Sequence, residues 1–98
     1  MKKILVIGRH PQIMENVLGQ LNRSTNWQAE AVLTDEAARE TFVQTQFDLV
    51  LFGGGVETNS VRILSNDFKN ANPEVQIIQH FGGGPGKLMK TIENVMKK

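Results

Sequence analysis

Glycines and a few polar side chains follow the apolar segments of this chain, at the point where each segment ends. The residues that could do chemistry there are Gly8, Arg9, His10, Gly53, Gly54, Gly55, Gly82, Gly83, Gly84 and Lys87. Glycine-rich turns that lead into helices present free N–H groups to anions, and arginine and lysine add positive charge. These residues therefore predict a site for a small anion or for the phosphates of a nucleotide.

The glycine segments do not complete a known nucleotide motif. A Walker A loop ending at Lys87 needs glycine where Phe81 stands and serine or threonine where Leu88 stands. A Gly-x-Gly-x-x-Gly pattern is also missing after the first apolar segment. The alternative is that the glycines supply positive φ angles for tight turns.

The two histidines and Arg9 leave further alternatives open. His10 and His80 could bind a transition metal together with Glu57 or Asp35, or could serve as ordinary polar surface. Either imidazole could act as an acid or base near neutral pH, but the sequence offers no nucleophile beside them. Arg9 could hold an anion, or it could pair with Asp35 or Glu57. We assign no catalytic residue, metal ligand or cofactor.

Composition narrows the classes of protein. A chain of 98 residues predicts one domain over residues 1–98. The chain has no cysteine, so a disulfide framework is excluded. A formal charge of +1 is too small to indicate nucleic acid or a membrane surface as a partner. The apolar run Ile4–Ile7 is too short for a signal peptide, and the expected location is the cytoplasm.

Apolar periodicity predicts four strands that alternate with four helices. The predicted strands are Ile4–Ile7, Trp27–Thr34, Asp48–Phe52 and Glu74–Phe81. The helices are predicted to begin at Pro11, after a cap at Thr34, after a cap at Thr58 or Asn59, and at Lys87. In the first helix, Ile13, Val17 and Leu21 are predicted to face the core.

This alternation predicts an α/β fold with a doubly wound parallel sheet. The first and third strands are apolar throughout, as central strands are, whereas the second and fourth contain polar residues, as edge strands do. Right-handed crossovers then give the strand order 2-1-3-4. The carboxyl ends of the first and third strands lie at the switch point, so we expect Gly8, Arg9, His10 and Gly53 to meet there.

Three segments resemble the receiver domain of response regulators. They are Ile4–Pro11 with the helix that follows, Phe47–Phe52, and Leu88–Met96. The resemblance implies a flavodoxin-like fold and a role in signalling.

The residues that carry receiver chemistry are replaced here. The family's paired metal-binding acids would stand at Gly8 and Arg9, and its phosphoacceptor aspartate at Gly53. Its serine or threonine would fall near Gln79 or His80. The resemblance therefore implies a non-catalytic interaction module that acts without aspartyl phosphorylation. The alternatives are an anion- or nucleotide-binding domain, and an enzyme domain around the two histidines.

The chain is also one βα unit shorter than a five-stranded receiver. Glu74–Phe81 is then an edge strand with unpaired backbone groups. We predict a homodimer in which this edge pairs with a second copy. The alternative is that the last helix covers the edge and leaves a monomer.

Overall fold

The structure is a computed structural model that describes residues 2–23, 27–53, 55–81 and 85–96. Strands and helices alternate along the described chain: β1 Lys2–Ile7, α1 Pro11–Leu21, β2 Trp27–Val32, α2 Asp35–Gln44, β3 Leu49–Gly53, α3 Thr58–Ala71, β4 Gln76–Phe81 and α4 Pro85–Met96. None of these helices is long and apolar enough to cross a membrane.

The four strands form one parallel sheet in the order β2-β1-β3-β4, which confirms the predicted fold class. In the centre of the sheet, Ile4 lies opposite Leu49 and Ile7 opposite Phe52. A register shift follows Phe52, so that Gly53 lies opposite Phe81. As predicted, the two strands that are apolar throughout are central, because both of their faces are covered by helices.

Each face of the sheet carries two helices, and the strand residues alternate between the two cores. On one face, α1 and α4 pack on the sheet, and the buried core there consists of Ile4, Val6, Met14, Leu21, Trp27, Ala29, Leu49, Leu51 and Ile92. On the other face, α2 and α3 pack over Leu5, Ile7, Ala38, Phe42, Phe47, Val50, Phe52, Val56, Val61, Leu64, Phe68 and Val75. The last helix therefore lies on a face of the sheet, beside α1.

Several predicted boundaries shift by a few residues. β2 ends at Val32 because the Thr34 hydroxyl caps α2, accepting the N–H of Ala37 at 3.1 Å. β4 begins at Gln76 because the N–H of Val75 closes a turn onto Asn72. The predicted caps of α3, Thr58 or Asn59, were wrong, since Thr58 is the first residue of that helix and Glu57 is its N-cap.

The remaining elements extend beyond their predicted ends. β1 begins at Lys2, opposite Trp27, and β3 runs on to Gly53, although it begins at Leu49 and not at the predicted Asp48. α4 begins at Pro85 rather than Lys87, because proline is suited to the first turn of a helix.

We expect Phe68→Ala to destabilise the fold by about 3–5 kcal/mol, as for other buried phenylalanines. The Phe68 side chain is 1% exposed, and its ring stacks on Phe42 with 4.3 Å between centroids. Urea unfolding followed by circular dichroism measures the loss of unfolding free energy. The control is Val43→Ala, at a side chain that is 76% exposed, which should change it by less than about 0.5 kcal/mol. A Phe68→Ala loss no larger than that of the control would contradict the packing described.

Candidate functional site

The loops that follow β1 and β3 meet at the switch point of the sheet, as predicted. A Cβ atom built on Gly55 would lie 3.3 Å from Nε2 of His10 and 3.8 Å from Cβ of Arg9. A Cβ atom on Gly53 would lie 3.7 Å from Cα of Gly8. The structure therefore brings together the parts of the predicted site that follow these two strands.

The third group of predicted site residues is only partly described. Gly54, Gly82, Gly83 and Gly84 lie outside the described residues. Lys87 lies in the first turns of α4 and His80 in β4, and the side chains of both are outside the description. The predicted contribution of the loop after β4 to an anion site thus stays a prediction.

Arg9 is the centre of a charged network between three loops. Its Nη2 atom lies 2.5 Å from Oδ1 of Asp35, and its Nε atom lies 3.2 Å from Oε1 of Glu57. Its Nη1 atom donates to the carbonyl of Leu33 at 2.9 Å. The Ser60 hydroxyl donates to the second oxygen of Asp35 at 2.7 Å. The expected pairing of Arg9 with Asp35 or Glu57 is confirmed, and it involves both carboxylates.

The network keeps all three groups charged. Burial pushes the pKa of Asp35 up, but hydrogen bonds from Ser60 and Arg9 outweigh burial and hold it below its usual value. The hydrogen bond from Arg9 lowers the pKa of Glu57 as well. The hydrogen bond to Glu57 leads the causes that raise the pKa of Arg9. One guanidinium thus faces two ionised carboxylates.

Met14 fills the space between the two strand ends. A Cβ atom on Gly8 would lie 2.5 Å from both Sδ and Cε of Met14, and one on Gly53 would lie 3.6 Å from that Cε. The Met14 side chain is buried, with 5% of its surface exposed. Its thioether therefore lies where a side chain at position 8 would stand, and within ordinary contact distance of one at position 53.

The glycines at these strand ends permit close packing rather than unusual backbone angles. None of Gly8, Gly53 and Gly55 has a φ between +20° and +160°. The expectation that these glycines supply positive φ was wrong for these three positions. Gly8 instead lets the flexible end of Met14 approach the backbone of β1, which a Cβ atom would force aside.

The sequence prediction for α1 was right for Val17 and Leu21, which pack in or against the core, but it included Ile13 and missed Met14. Ile13, which was expected to face the core, is 52% exposed. Met14 and Leu21 are buried, and Val17 and Leu18 pack against the same core. The spacing 14, 17, 18, 21 is an i, i+3, i+4, i+7 pattern, so the helical period contained the signal.

The geometry limits what the site can do chemically. An anion at Arg9 would compete with two carboxylates for the guanidinium, so the anion site stays a prediction. The described residues contain no group of three or more histidines and carboxylates arranged to hold a metal ion. His10 is exposed at the start of α1, and no described nucleophile hydrogen-bonds to its ring. The arrangement is an ion-pair network in which the guanidinium of Arg9 is already paired with two carboxylates of the same chain.

Comparison with solved structures identifies the fold. No protein-family model matches the sequence, and no curated protein is significantly similar to it. The two-component transcriptional regulator AraC from Clostridium phytofermentans superposes with a TM-score of 0.84 at 10% identity, over 99% of this chain and 93% of that chain.

A second response regulator gives the same result. TrrA from Thermotoga maritima, in complex with Mg²⁺-BeF, has a TM-score of 0.76 at 16% identity, over 98% of this chain and 100% of that chain. A chain of the complex between the histidine kinase ThkA and TrrA has a TM-score of 0.75 at 14% identity, over 98% and 99% of the two chains. The chain has the fold of a response-regulator receiver domain.

We expect Arg9→Gln to lower the unfolding free energy by about 1–2 kcal/mol at pH 7, through its hydrogen bonds to Leu33 and Asp35. The Glu57 carboxylate is 64% exposed, so water and salt screen its pair with Arg9. The carboxylate pKa values are depressed in the folded state, so their stabilisation is present above the ordinary values of 3.8 and 4.5 and is lost as pH falls. The difference between wild type and variant should therefore shrink towards about pH 3.

Urea unfolding at both pH values measures this difference. The matched control is Arg39→Gln, because Nε of Arg39 lies 3.2 Å from Oδ2 of Asp67 in an exposed ion pair. The exposed fractions of the two side chains are 46% for Arg39 and 48% for Asp67. This substitution should cost less than about 0.5 kcal/mol. An Arg9 effect that is as small as the control, or that grows on acidification, would contradict the network.

Proposed function

We propose that this chain is a receiver-like signalling module that binds protein partners without phosphorylation of an aspartate and without a metal at its switch point. The observation that carries the proposal is how the switch point is filled. The thioether of Met14 takes the space beside Gly8 and Gly53, and Arg9 supplies a fixed positive charge to Asp35 and Glu57.

The residue types at the strand ends support this proposal. Phosphoryl transfer to a protein needs a nucleophile at the acceptor position, and Gly53 has no side chain. Mg²⁺ needs oxygen ligands, and the positions after β1 hold Gly8 and Arg9. Asp35 and Glu57 could offer oxygens, but a metal there would have to displace the Arg9 guanidinium and overcome its repulsion.

The solved neighbours support a protein as the partner. TrrA is found in complex with a histidine kinase, and the fold of that neighbour is shared over nearly its whole length. We extend this only to the class of partner, which for this chain is another protein or a second copy. A homodimer through the β4 edge belongs to this proposal. A module of this kind works through the surface it presents, not through turnover.

We expect acetyl phosphate with Mg²⁺ to leave the protein unmodified, because position 53 offers no carboxylate. Intact-mass spectrometry after incubation is the measurement, with an ordinary phosphorylatable receiver domain treated in parallel to show that the reagent is active. An adduct of one phosphoryl group that hydroxylamine removes, as it removes an acyl phosphate, would overturn the proposal.

The variant Gly53→Asp makes the same experiment sharper. It restores the acceptor carboxylate but leaves Gly8, Arg9 and Met14 in place, and its Cβ atom would lie 3.4 Å from the Ile7 carbonyl oxygen. We expect this variant to remain unmodified as well. A phosphorylated Gly53→Asp protein would mean that Met14 and Arg9 do not close the site.

A further inference from the structure

The sheet has two edges, and the chain treats them differently. The order β2-β1-β3-β4 leaves β2 and β4 each with one neighbour. An edge strand presents alternate N–H and C=O groups to solvent and can pair with another strand unless something covers it. What covers each edge therefore decides where a further strand can add.

The β2 edge is closed by a side chain of the same molecule. The backbone N–H and C=O of Val32 point towards β1, since the carbonyl accepts the N–H of Gly8 at 3.1 Å. Because these groups alternate along a strand, the N–H and C=O of Ala29 point away from β1, to the outer edge. Oδ1 of Asn22 accepts the N–H of Ala29 at 2.9 Å, and Nδ2 of Asn22 donates to the Ala29 carbonyl at 3.3 Å. The Asn22 amide thus takes the place that the backbone of an added strand would occupy.

The β4 edge has no such cover in the described part of the chain. The backbone N–H and C=O of Gln76 point towards β3, since the N–H donates to the carbonyl of Asp48 at 3.0 Å. By alternation Ile77 and Gln79 direct their N–H and C=O groups outward. Among the described residues, no side chain hydrogen-bonds to these groups. The described side chains of α4 do not cover them either, because Ile92 and Val95 pack on the core of the α1 face.

We propose that β4 adds antiparallel to β4 of a second copy, with Ile77 opposite Gln79 of that copy. This deepens the self-association in the proposed function, but it depends on the β4 edge and not on the switch point. In this register every outward N–H and C=O of Ile77 and Gln79 in both copies finds a partner across the two-fold axis. The four-stranded sheets of the two copies then form one continuous eight-stranded sheet.

The sequence of β4 is compatible with pairing to itself. Gln76–Phe81 contains no lysine, arginine, aspartate or glutamate, so the paired strands bring no like charges together. Ile78 would face Ile78 of the second copy on the axis, as a pair without hydrogen bonds whose Cα atoms are about 4.5 Å apart. The spacing of the outward groups, two residues apart on one strand, is what makes the edge complementary to itself.

Light scattering at micromolar concentration tests the assembly. Wild type should have twice the chain mass of 10.9 kDa. Gln79→Pro removes an outward N–H but no hydrogen bond within the sheet, and an edge strand tolerates proline there. This variant should be monomeric with an unchanged far-ultraviolet spectrum. A monomeric wild type overturns the proposal and leaves the edge to a strand from another protein. A dimeric, folded Gln79→Pro overturns it as well.

Single cysteines test the register, because the natural chain has none. Ile78→Cys places two thiols opposite each other within disulfide reach, and mild oxidation should link the dimer. Gln76→Cys, on the same strand, is the matched control. In the proposed register its two copies lie roughly 13 Å apart, four residues along the strand, and should not link. Equal linking of both variants would overturn the register. These results are independent of whether the protein accepts a phosphoryl group.

Discussion

The ion pairs of Arg9 are the constraint on which the switch point of this domain depends. The guanidinium joins the loop after β1 to Asp35 at the start of α2 and to Glu57 before α3. Its further hydrogen bond to the Leu33 carbonyl fixes the end of β2 to the same point. Three loops that diverge from neighbouring strands are thus held by one side chain. A parallel sheet gathers these loops at its carboxyl edge, and here the charge that organises them belongs to the chain itself.

That arrangement is the physical basis for our proposal that this receiver fold works without receiver chemistry. A site that binds a divalent ion needs several oxygen ligands, and bringing carboxylates together without a cation is unfavourable. In this chain the cation is covalently part of the protein, so Asp35 and Glu57 stay ionised without any ligand. Met14 completes the arrangement by filling the space above Gly8 and Gly53 with a thioether. In the proposed function, the switch point contributes to stability and partners bind at the outer surfaces.

The sequence contained most of the fold and part of the site. Apolar strands and their polar edges were enough to predict the order 2-1-3-4, because burial on two faces demands a continuous apolar run. Arg9 could be placed near Asp35 and Glu57 because all three follow or precede elements at one edge. Met14 was missed although the spacing 14, 17, 18, 21 marks the buried face of α1, because Ile13 also fits a helical period with Val17 and Leu21. The hydrogen bonds between the Asn22 amide and the β2 edge could not be predicted from the sequence, because they depend on the path of the loop between α1 and β2.

The claim that internal groups close the switch point is tested most directly by amide NMR with Mg²⁺ and beryllofluoride, which together mimic a phosphorylated aspartate. The resonances of Gly8, Arg9, Gly53 and Gly55 would be followed through the titration. The account predicts that their chemical shifts do not change when both reagents are added. Saturable shifts at these four residues, with the remainder of the spectrum unchanged, would show that the site opens to ligands and would contradict it.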